Sequence, residues 1–189
     1  QRELEAFGEI KGNAARSRQS SEYYFKAGIT WPRRPHLRGH FSMLPPGSIF
    51  TDTGPAIFSL NIDKWALCAI LNSTLHTSLL HLLMPRGTEE SGQTLKYEMG
   101  YLEATPIMPP SKEQEVLLAS TSARIWRILR SCDEWNETSH QFKMPRLLLH
   151  PSEDLNKSVE KWHANAAGLA QEAHDLYQRA EVIVSDMYG

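Results

Sequence analysis

The chain has 189 residues, a formal net charge of −2, 41% hydrophobic residues and two cysteines. This length fits one domain of ordinary size, or one domain with an appended element, and the apolar share is enough for a core. The apolar runs are far shorter than the roughly 18 residues that span a bilayer, and two isolated cysteines without a secretory signal indicate a reducing compartment. We therefore predict a cytoplasmic protein with no membrane partner.

Positive charge is concentrated in one short part of the chain. Residues 11–40 hold seven basic side chains against a single acid, Glu22, which gives a local charge of +6. The basic residues are Lys11, Arg16, Arg18, Lys26, Arg33, Arg34 and Arg38. A local positive field in a weakly acidic chain favours a surface that faces an anion. The alternative is a solvated loop rich in arginine.

The first half of the chain reads as short strands and turns. We predict strands at residues 25–31 and 39–43, separated by a basic loop with prolines at its ends. A turn is predicted at residues 44–48, because the prolines preset φ and Gly47 permits a positive φ. Strand ends are expected at residues 49–50 and 57–58.

A helix is predicted at residues 64–83, with Asn61 or Asp63 as its N-cap. Its apolar positions follow a period of 3.6 residues and are Leu67, Ile70, Leu71, Leu75, Leu79, Leu82 and Leu83. A polar loop at residues 84–95 and a short strand at residues 96–99 are expected next. Ser111 then begins another helix, with Gln114 placed to complete a capping box.

The last segment carries the clearest periodicity. Apolar residues alternate in steps of four and three at Leu155, Val159, Trp162, Ala166, Leu169, Ala173, Leu176, Ala180, Ile183 and Met187. This heptad seam predicts a helix that packs against a partner helix. A partner with similar spacing lies within the chain, at Leu118, Thr121, Ile125, Ile128 and Cys132. We favour an antiparallel pair joined through residues 133–152; the alternative is a single amphipathic helix lying on the core.

These elements predict an α+β fold with two domains. Residues 1–110 would form a small mixed or antiparallel sheet with packed helices. Residues 111–189 would form a long antiparallel helical pair that acts as a spacer.

Most enzyme motifs are missing from the sequence. It contains no Gly-rich phosphate loop, no Gly-x-Ser-x-Gly and no His-Glu-x-x-His. His36 and His40 share the basic loop, but no Cys or carboxylate stands near them in sequence to complete a metal site. The Asn-Pro-Pro-Tyr and Asp-Pro-Pro-Tyr tetrapeptides, with which amino-group methyltransferases hold a flipped base, are also missing. We expect no catalytic residue, no metal site and no enzyme activity in this chain alone.

Four ordered motifs carry a family resemblance. They are SRQSSEYYFKAGITW at residues 17–31, FSMLPPGSIFTDTGPAIF at 41–58, LCAILNS at 67–73 and YEMGYLEATPI at 97–107. Together they resemble the C-terminal specificity region, or target-recognition domain, of large bacterial N6-adenine DNA methyltransferases. The similar proteins are the phage-exclusion (BREX) methyltransferases and the fused type IIG restriction–modification enzymes. The helix that ends at residue 189 is similar to the long helix that follows this region in the BREX proteins.

The resemblance implies a function in host defence in the bacterial cytoplasm. The chain would recognise a sequence in double-stranded DNA, and its partners would be that DNA and an N-terminal methyltransferase domain of the same polypeptide. S-adenosylmethionine would bind in the methyltransferase domain, so no cofactor is expected in this chain. The alternative is a protein–protein interaction module that docks through its C-terminal heptad helix.

The residues expected to contact DNA come from two loops. They are Arg33, Arg34, His36, Arg38, His40, Arg86, Thr88 and Lys96. An arginine can grip guanine O6 and N7 with two donors, and other cations would hold phosphates and set the register. The neighbouring aromatic residues Tyr23, Tyr24, Phe25 and Trp31 are expected to be core residues that anchor the base of the first loop.

Overall fold

A computed structural model describes residues 20–34, 41–59, 61–85, 96–149 and 154–189, and these form the predicted α+β fold. The strands of the described residues are β1 (Gly28–Thr30), β2 (Ser42–Leu44) and β3 (Ala56–Ile57). Their α-helices are α1 (Lys64–Asn72), α2 (Thr74–Leu83), α3 (Met99–Ala104), α4 (Lys112–Asp133) and α5 (Leu155–Tyr188). Two short 3-10 helices lie at Ser21–Tyr23 and Arg146–Leu149.

The strands form one antiparallel sheet in the order β2-β1-β3. Ile29 in the central strand lies opposite Met43 on one side and Ile57 on the other. Gly28 precedes it where no larger residue fits, because a Cβ there would lie 2.7 Å from the Ile57 carbonyl oxygen. The turn predicted after β2 is confirmed, with Gly47 at a φ of +88°. The strand predicted at residues 49–50 is wrong, since these residues have no ladder partner in the described sheet.

Helix α1 is buried on two sides and organises the core. Asp63 caps it as predicted, accepting from the backbone N–H groups of Trp65 and Ala66 at 2.8 and 3.3 Å. One face packs into a cluster with the sheet, α2 and α3, and the opposite face packs against α4 and α5. A helix that is apolar all round needs partners on both sides, which explains its composition.

The single helix predicted at residues 64–83 is wrong, because the chain bends by 68° between α1 and α2. Ser73 sits at the bend with extended backbone angles, φ −67° and ψ 151°. Its hydroxyl donates to the Ile70 carbonyl at 2.7 Å and accepts from the His76 backbone N–H at 3.1 Å. One serine therefore ends α1 and caps α2. The apolar period continues through the bend, so periodicity alone could not reveal it.

The short strand predicted at residues 96–99 is also wrong, since helix α3 begins at Met99. The backbone N–H of Glu98 donates to the Lys96 carbonyl at 3.0 Å, which folds this stretch into a tight turn. The Glu98 carbonyl then accepts from the N–H of Tyr101 at 3.1 Å and begins the helix.

The predicted antiparallel helical pair is confirmed. Its first helix, α4, starts with the expected capping box between Ser111 and Gln114. Leu118 clusters with Ala180 and Val184, whereas Arg124, further along α4, bonds Glu172, earlier on α5. The buried face of α4 includes Leu118, Thr121, Ile125 and Ile128, all on the predicted seam.

The seam predicted on α5 is correct in its C-terminal half and incomplete elsewhere. Ala173 and Ala180 are buried as expected, but Leu155 is exposed. Val184, which the seam omitted, is fully buried. The packing of α5 against α1 accounts for this, because Val184 belongs to the cluster that contains Ala66 and Ile70.

Carboxylates from the helical pair bind the starts of α1 and α2. Glu181 on α5 accepts from the backbone N–H and the hydroxyl of Thr74, at 2.8 and 3.0 Å. Glu115 on α4 accepts from the backbone N–H of Asp63 at 2.6 Å. Negative side chains at helix N-termini satisfy free N–H groups and oppose the helix dipole. The described parts of residues 1–110 and 111–189, which we predicted as two domains, therefore meet across a shared core and shared caps.

Length and composition of the described helices also bear on membrane insertion. Among these residues, no single helix is both long and apolar enough to cross a bilayer, and α1 and α2 pass only when they are counted together across their bend.

Candidate nucleic-acid interface

Three loop segments meet at the end of β1, at residues 31–34, 51–54 and 96–98. The backbone N–H of Arg33 donates to the Thr53 carbonyl at 3.0 Å, and the Arg33 carbonyl accepts from the N–H of Tyr97 at 2.9 Å. Arg33 thus lies between the other two segments. We call these three segments the loop platform.

The segment at residues 51–54 is a self-contained turn. The N–H of Thr51 donates to the Gly54 carbonyl at 3.1 Å, and the hydroxyls of Thr51 and Thr53 lie 2.9 Å apart. Thr30 secures its far end by donating from its hydroxyl to the Pro55 carbonyl at 2.8 Å. These bonds fix the carbonyl of Thr53 that receives the Arg33 N–H.

The side chain of Arg33 is bound to two acids of the platform. Its Nη2 donates to Oε1 of Glu98 at 2.9 Å, and its Nη1 lies 3.6 Å from Oδ2 of Asp52. The Arg33 side chain is 38% exposed, whereas Asp52 is 82% exposed. The guanidinium is therefore already engaged with carboxylates and only partly open to solvent.

The platform is attached to a buried aromatic cluster of the core. The indole N–H of Trp31 donates to the Tyr97 carbonyl at 2.9 Å, and the Tyr97 hydroxyl lies 2.7 Å from Nε2 of His81. Phe41 packs against both Trp31 and Tyr97. The side chain of Asn72 clamps Phe41, accepting from its N–H at 3.1 Å and donating to its carbonyl at 2.8 Å.

This cluster brings together the chain ends on either side of both predicted DNA-contacting loops. Arg34 and Phe41 flank residues 35–40, and Pro85 and Lys96 flank residues 86–95. Trp31, Phe41, Met84 and Tyr97 belong to one buried cluster. Both loops therefore leave from and return to a single region of the described core.

Three of the residues expected to contact DNA lie on or beside the platform. Arg33 and Arg34 are consecutive, and Lys96 precedes Tyr97, whose backbone bonds Arg33. The side chains of Arg34 and Lys96 are exposed. The other five expected residues, His36, Arg38, His40, Arg86 and Thr88, lie outside the described residues, and their roles stay predictions.

The expectation that the neighbouring aromatic residues are all core is right for Trp31 and wrong for two others. Trp31 is buried, but Tyr23 is 39% exposed and Phe25 is 61% exposed. Tyr23 stacks on Phe58 in a surface cluster, at the end of β1 away from the platform. Phe25 adopts a φ of +66°, unusual for a bulky residue, and its N–H donates to Ser48 at 3.0 Å. The turn that follows β2 holds this backbone through Gly47 and Ser48, and the ring stays exposed.

Glu98 and Asn72 belong to this site but were not among the residues expected from the sequence. Glu98 holds the Arg33 guanidinium, and Asn72 clamps the residue that follows residues 35–40. Asn72 could have been recognised from the sequence, because it is a polar residue at the end of an apolar helix, and a polar side chain beside a core needs hydrogen-bond partners. The partner of Glu98 is distant in sequence, and no local pattern marks it.

A second feature is a small cavity between β2, α1, α4 and α5. Its volume is about 80 Å³, and its polar lining includes Cys68, Asn72, Ser122 and Tyr177. Burial raises the pKa of the Cys68 thiol to about 11 and also raises the pKa of Tyr177. A thiol with this pKa is protonated at neutral pH and is a poor nucleophile.

The part of the chain that the structure describes contains no candidate metal site. No three His, Cys, Asp or Glu side chains lie together there in an arrangement able to hold an ion. His76 is fully buried beside Phe41 and is not part of any such group.

No protein-family model matches the chain, and no curated protein matches it.

Proposed function

We propose that this chain is a double-stranded DNA recognition domain of a bacterial adenine-N6 DNA methyltransferase, non-catalytic by itself. The observation that carries the proposal is the backbone hydrogen bond between Tyr97 and Arg33. It brings side by side the two segments that the sequence independently marked as DNA-contacting. Binding surfaces are commonly built in this way, from loops that a rigid scaffold positions.

The exposed cations of the platform suit phosphate contact. Arg34 and Lys96 are open to solvent, and within the described residues neither forms an ion pair with another side chain. Each phosphate neutralised by such a cation releases counterions, which makes binding weaker as salt rises. Base reading would fall to the expected residues beyond the platform, among them Arg38 and Arg86.

The proposal divides the work of the whole enzyme. An N-terminal methyltransferase domain of the same polypeptide would hold S-adenosylmethionine and carry out methyl transfer, in the bacterial cytoplasm and in defence against foreign DNA. The present chain would choose the DNA site. We therefore expect no specific binding of S-adenosylmethionine by this chain in a calorimeter, and stoichiometric binding would contradict that division.

The direct test is a titration of the chain with a mixed-sequence duplex at about 100 and about 200 mM NaCl. We expect affinity to fall steeply with salt. Arg34→Gln and Lys96→Gln should each flatten the logarithmic salt slope by about one unit, while Lys161→Gln, an exposed cation on α5, should leave it unchanged. A wild-type chain with no measurable duplex affinity would contradict the proposal.

Sequence reading is tested in the full-length enzyme. We expect Arg→Gln at positions 34, 38 or 86 to divide into two classes when the methylated sites of expressing cells are sequenced. A base-reading arginine relaxes the methylated motif, whereas a phosphate-contacting arginine lowers methylation of all sites equally. An unchanged motif and an unchanged methylation level in all three variants would place recognition elsewhere.

A second candidate function, protein docking through the helical pair, rests on one observation. An apolar groove of about 590 Å³ lies along the outer face of α4 and α5, with Leu117, Leu176, Val182 and Ile183 in its lining. Leu117 and Val182 are more than half exposed. Leu117→Lys with Val182→Lys should abolish such docking and leave duplex binding intact, which separates this function from the first.

A further inference from the structure

We infer that Arg33 is a positioning residue, which holds the loop platform so that Arg34 and Lys96 meet the DNA phosphates. The inference rests on the proposed function and changes the role expected for Arg33, from a residue that contacts DNA to one that acts through its neighbours.

Arg33 contacts each neighbouring segment twice, once through its backbone and once through its side chain. Its backbone N–H binds Thr53 while its side chain lies by the adjacent Asp52. Its carbonyl binds Tyr97 while its side chain binds the adjacent Glu98. Each neighbouring segment is thus held once by the backbone and once by the guanidinium. Such paired bonds fix both the spacing and the rotation of a segment.

Direct contact of Arg33 with a base would compete with this arrangement. Guanine is gripped by two donors of one guanidinium, and both terminal amino groups of Arg33 already face carboxylates. A base contact that displaced Glu98 would break a charge-assisted hydrogen bond of 2.9 Å, and it would bring two carboxylates towards the polyanionic duplex. Two carboxylates beside one cation also give the trio a formal charge of −1, which is unsuited to phosphate contact.

Arg34 and Lys96 differ from Arg33 in each of these respects. Both are exposed, and each directly adjoins a residue that the platform fixes: Arg34 follows Arg33, and Lys96 precedes Tyr97. The geometry of Arg33 therefore sets the separation of these two exposed cations. Because phosphates on a duplex have a regular spacing, that separation decides whether both are contacted together.

The test compares single variants with a charge swap. Arg33→Met and Glu98→Gln should weaken binding of a mixed-sequence duplex to a similar extent without changing the salt slope. Arg34→Met should flatten the slope by about one unit. The swap Arg33→Glu with Glu98→Arg, made in an Asp52→Asn background to remove repulsion, keeps the charge of the pair and should recover affinity relative to Arg33→Met in that background.

A readout without DNA keeps the positioning claim separate from the proposed function. The amide N–H of Tyr97, which binds the Arg33 carbonyl, should exchange with solvent about tenfold faster in Arg33→Met and Glu98→Gln, and at the wild-type rate in Arg34→Met. Arg124→Met, which breaks another Arg–carboxylate pair far from the platform, should leave this amide unchanged.

Two results would overturn the inference. The first is an unchanged Tyr97 exchange rate in Arg33→Met. The second is a flattened salt slope in Arg33→Met with no recovery in the charge swap, since only a direct phosphate contact gives that outcome. A wild-type chain that binds no duplex contradicts the proposed function, and the exchange rates then decide by themselves whether Arg33 positions the platform.

Discussion

We call the contact of α1 with α4 and α5 the helical junction. The helical junction and the loop platform lie on opposite sides of the cluster that α1 forms with the sheet, α2 and α3, and they are held together by different kinds of interaction. The junction packs α1 against α4 and α5 through Ala66, Ile70, Leu118, Ala180 and Val184, and four of these five are fully or nearly fully shielded from water. Among the described residues, the platform shows no such packing above its aromatic base, and it is joined by backbone bonds and one arginine between two acids. We therefore expect stability to reside in the junction, whereas the platform carries exposed polar groups able to meet a ligand.

Each region contains an Arg–Glu ion pair, and the surroundings of the two pairs differ. Arg124 binds Glu172 with two hydrogen bonds, of 2.6 and 2.8 Å, across helices that are already packed together. Arg33 binds Glu98 across two loop segments that are joined by the Arg33–Tyr97 backbone bond and by the bond from the Trp31 indole to the Tyr97 carbonyl. An ion pair between exposed groups contributes little where helix packing already fixes the geometry, and we expect it to matter more for the position of a loop segment.

The largest expected effect breaks the junction. Leu118→Ala should lower the free energy of unfolding by about 2–5 kcal/mol, because the side chain is fully buried between three helices. Urea denaturation measures the loss. Leu117→Ala is the matched control, since the neighbouring leucine is exposed and should change stability little. Equal losses in the two variants would mean that the junction is not the main source of stability.

The next effect concerns His76, which lies under the platform beside Phe41. Burial lowers the pKa of its ring below the ordinary value of 6.5. The Leu71 backbone opposes this shift, but within the described residues neither ring nitrogen makes a hydrogen bond, and burial is the larger effect. The neutral ring is therefore the form that the fold accepts.

The sign of the pH dependence follows from that shift. Because the unfolded chain binds the proton more readily, the stability from neutral His76 is fully present above pH 6.5 and is lost as the pH falls below it. One proton gives at most about 1.4 kcal/mol per pH unit. The difference in unfolding free energy between wild type and His76→Gln should therefore shift in favour of the variant between about pH 7.5 and about pH 5.5. A constant difference would show that this ring does not titrate on unfolding.

A smaller effect tests the caps by which the helical pair binds the starts of α1 and α2. Glu181→Gln should lower the free energy of unfolding by about 1 kcal/mol or less, because the amide still accepts one bond from Thr74 but lacks the charge that opposes the dipole of α2. Asp186→Asn is the control, an exposed acid further along α5. If both variants lose the same amount, the effect belongs to net charge and not to the cap.

The smallest effect sharpens the contrast between the two arginines. Arg124→Met should leave the unfolding transition within experimental scatter, because both members of its pair are exposed to solvent. The hydrogen bond from Arg124 lowers the pKa of Glu172, so the same variant should move that carboxyl pKa back towards its ordinary value in an NMR titration. A clear loss of stability would show that the helical pair depends on this ion pair.

The elements that the sequence predicted well are those with local causes. The capping box of Ser111 and Gln114, the cap of Asp63 and the turn at Gly47 each depend on residues within four positions of one another. The antiparallel pair was also predictable, because its two apolar seams have matching periods. Of the residues expected to contact DNA, Arg33, Arg34 and Lys96 lie in one region, and no pattern in the sequence indicated that Arg33 is bound to Glu98 and Asp52.

The sequence by itself determined where α1 and α4 start, which faces are apolar and where positive charge accumulates, because these properties depend on near neighbours and on composition. Only the tertiary structure decided that Ser73 would bend one apolar run into two helices, that Val184 would be buried, and that Glu98 and Asp52 would meet Arg33. Each of those outcomes depends on contacts between segments distant in the chain. Their free energy comes from packing and desolvation, which no local pattern records.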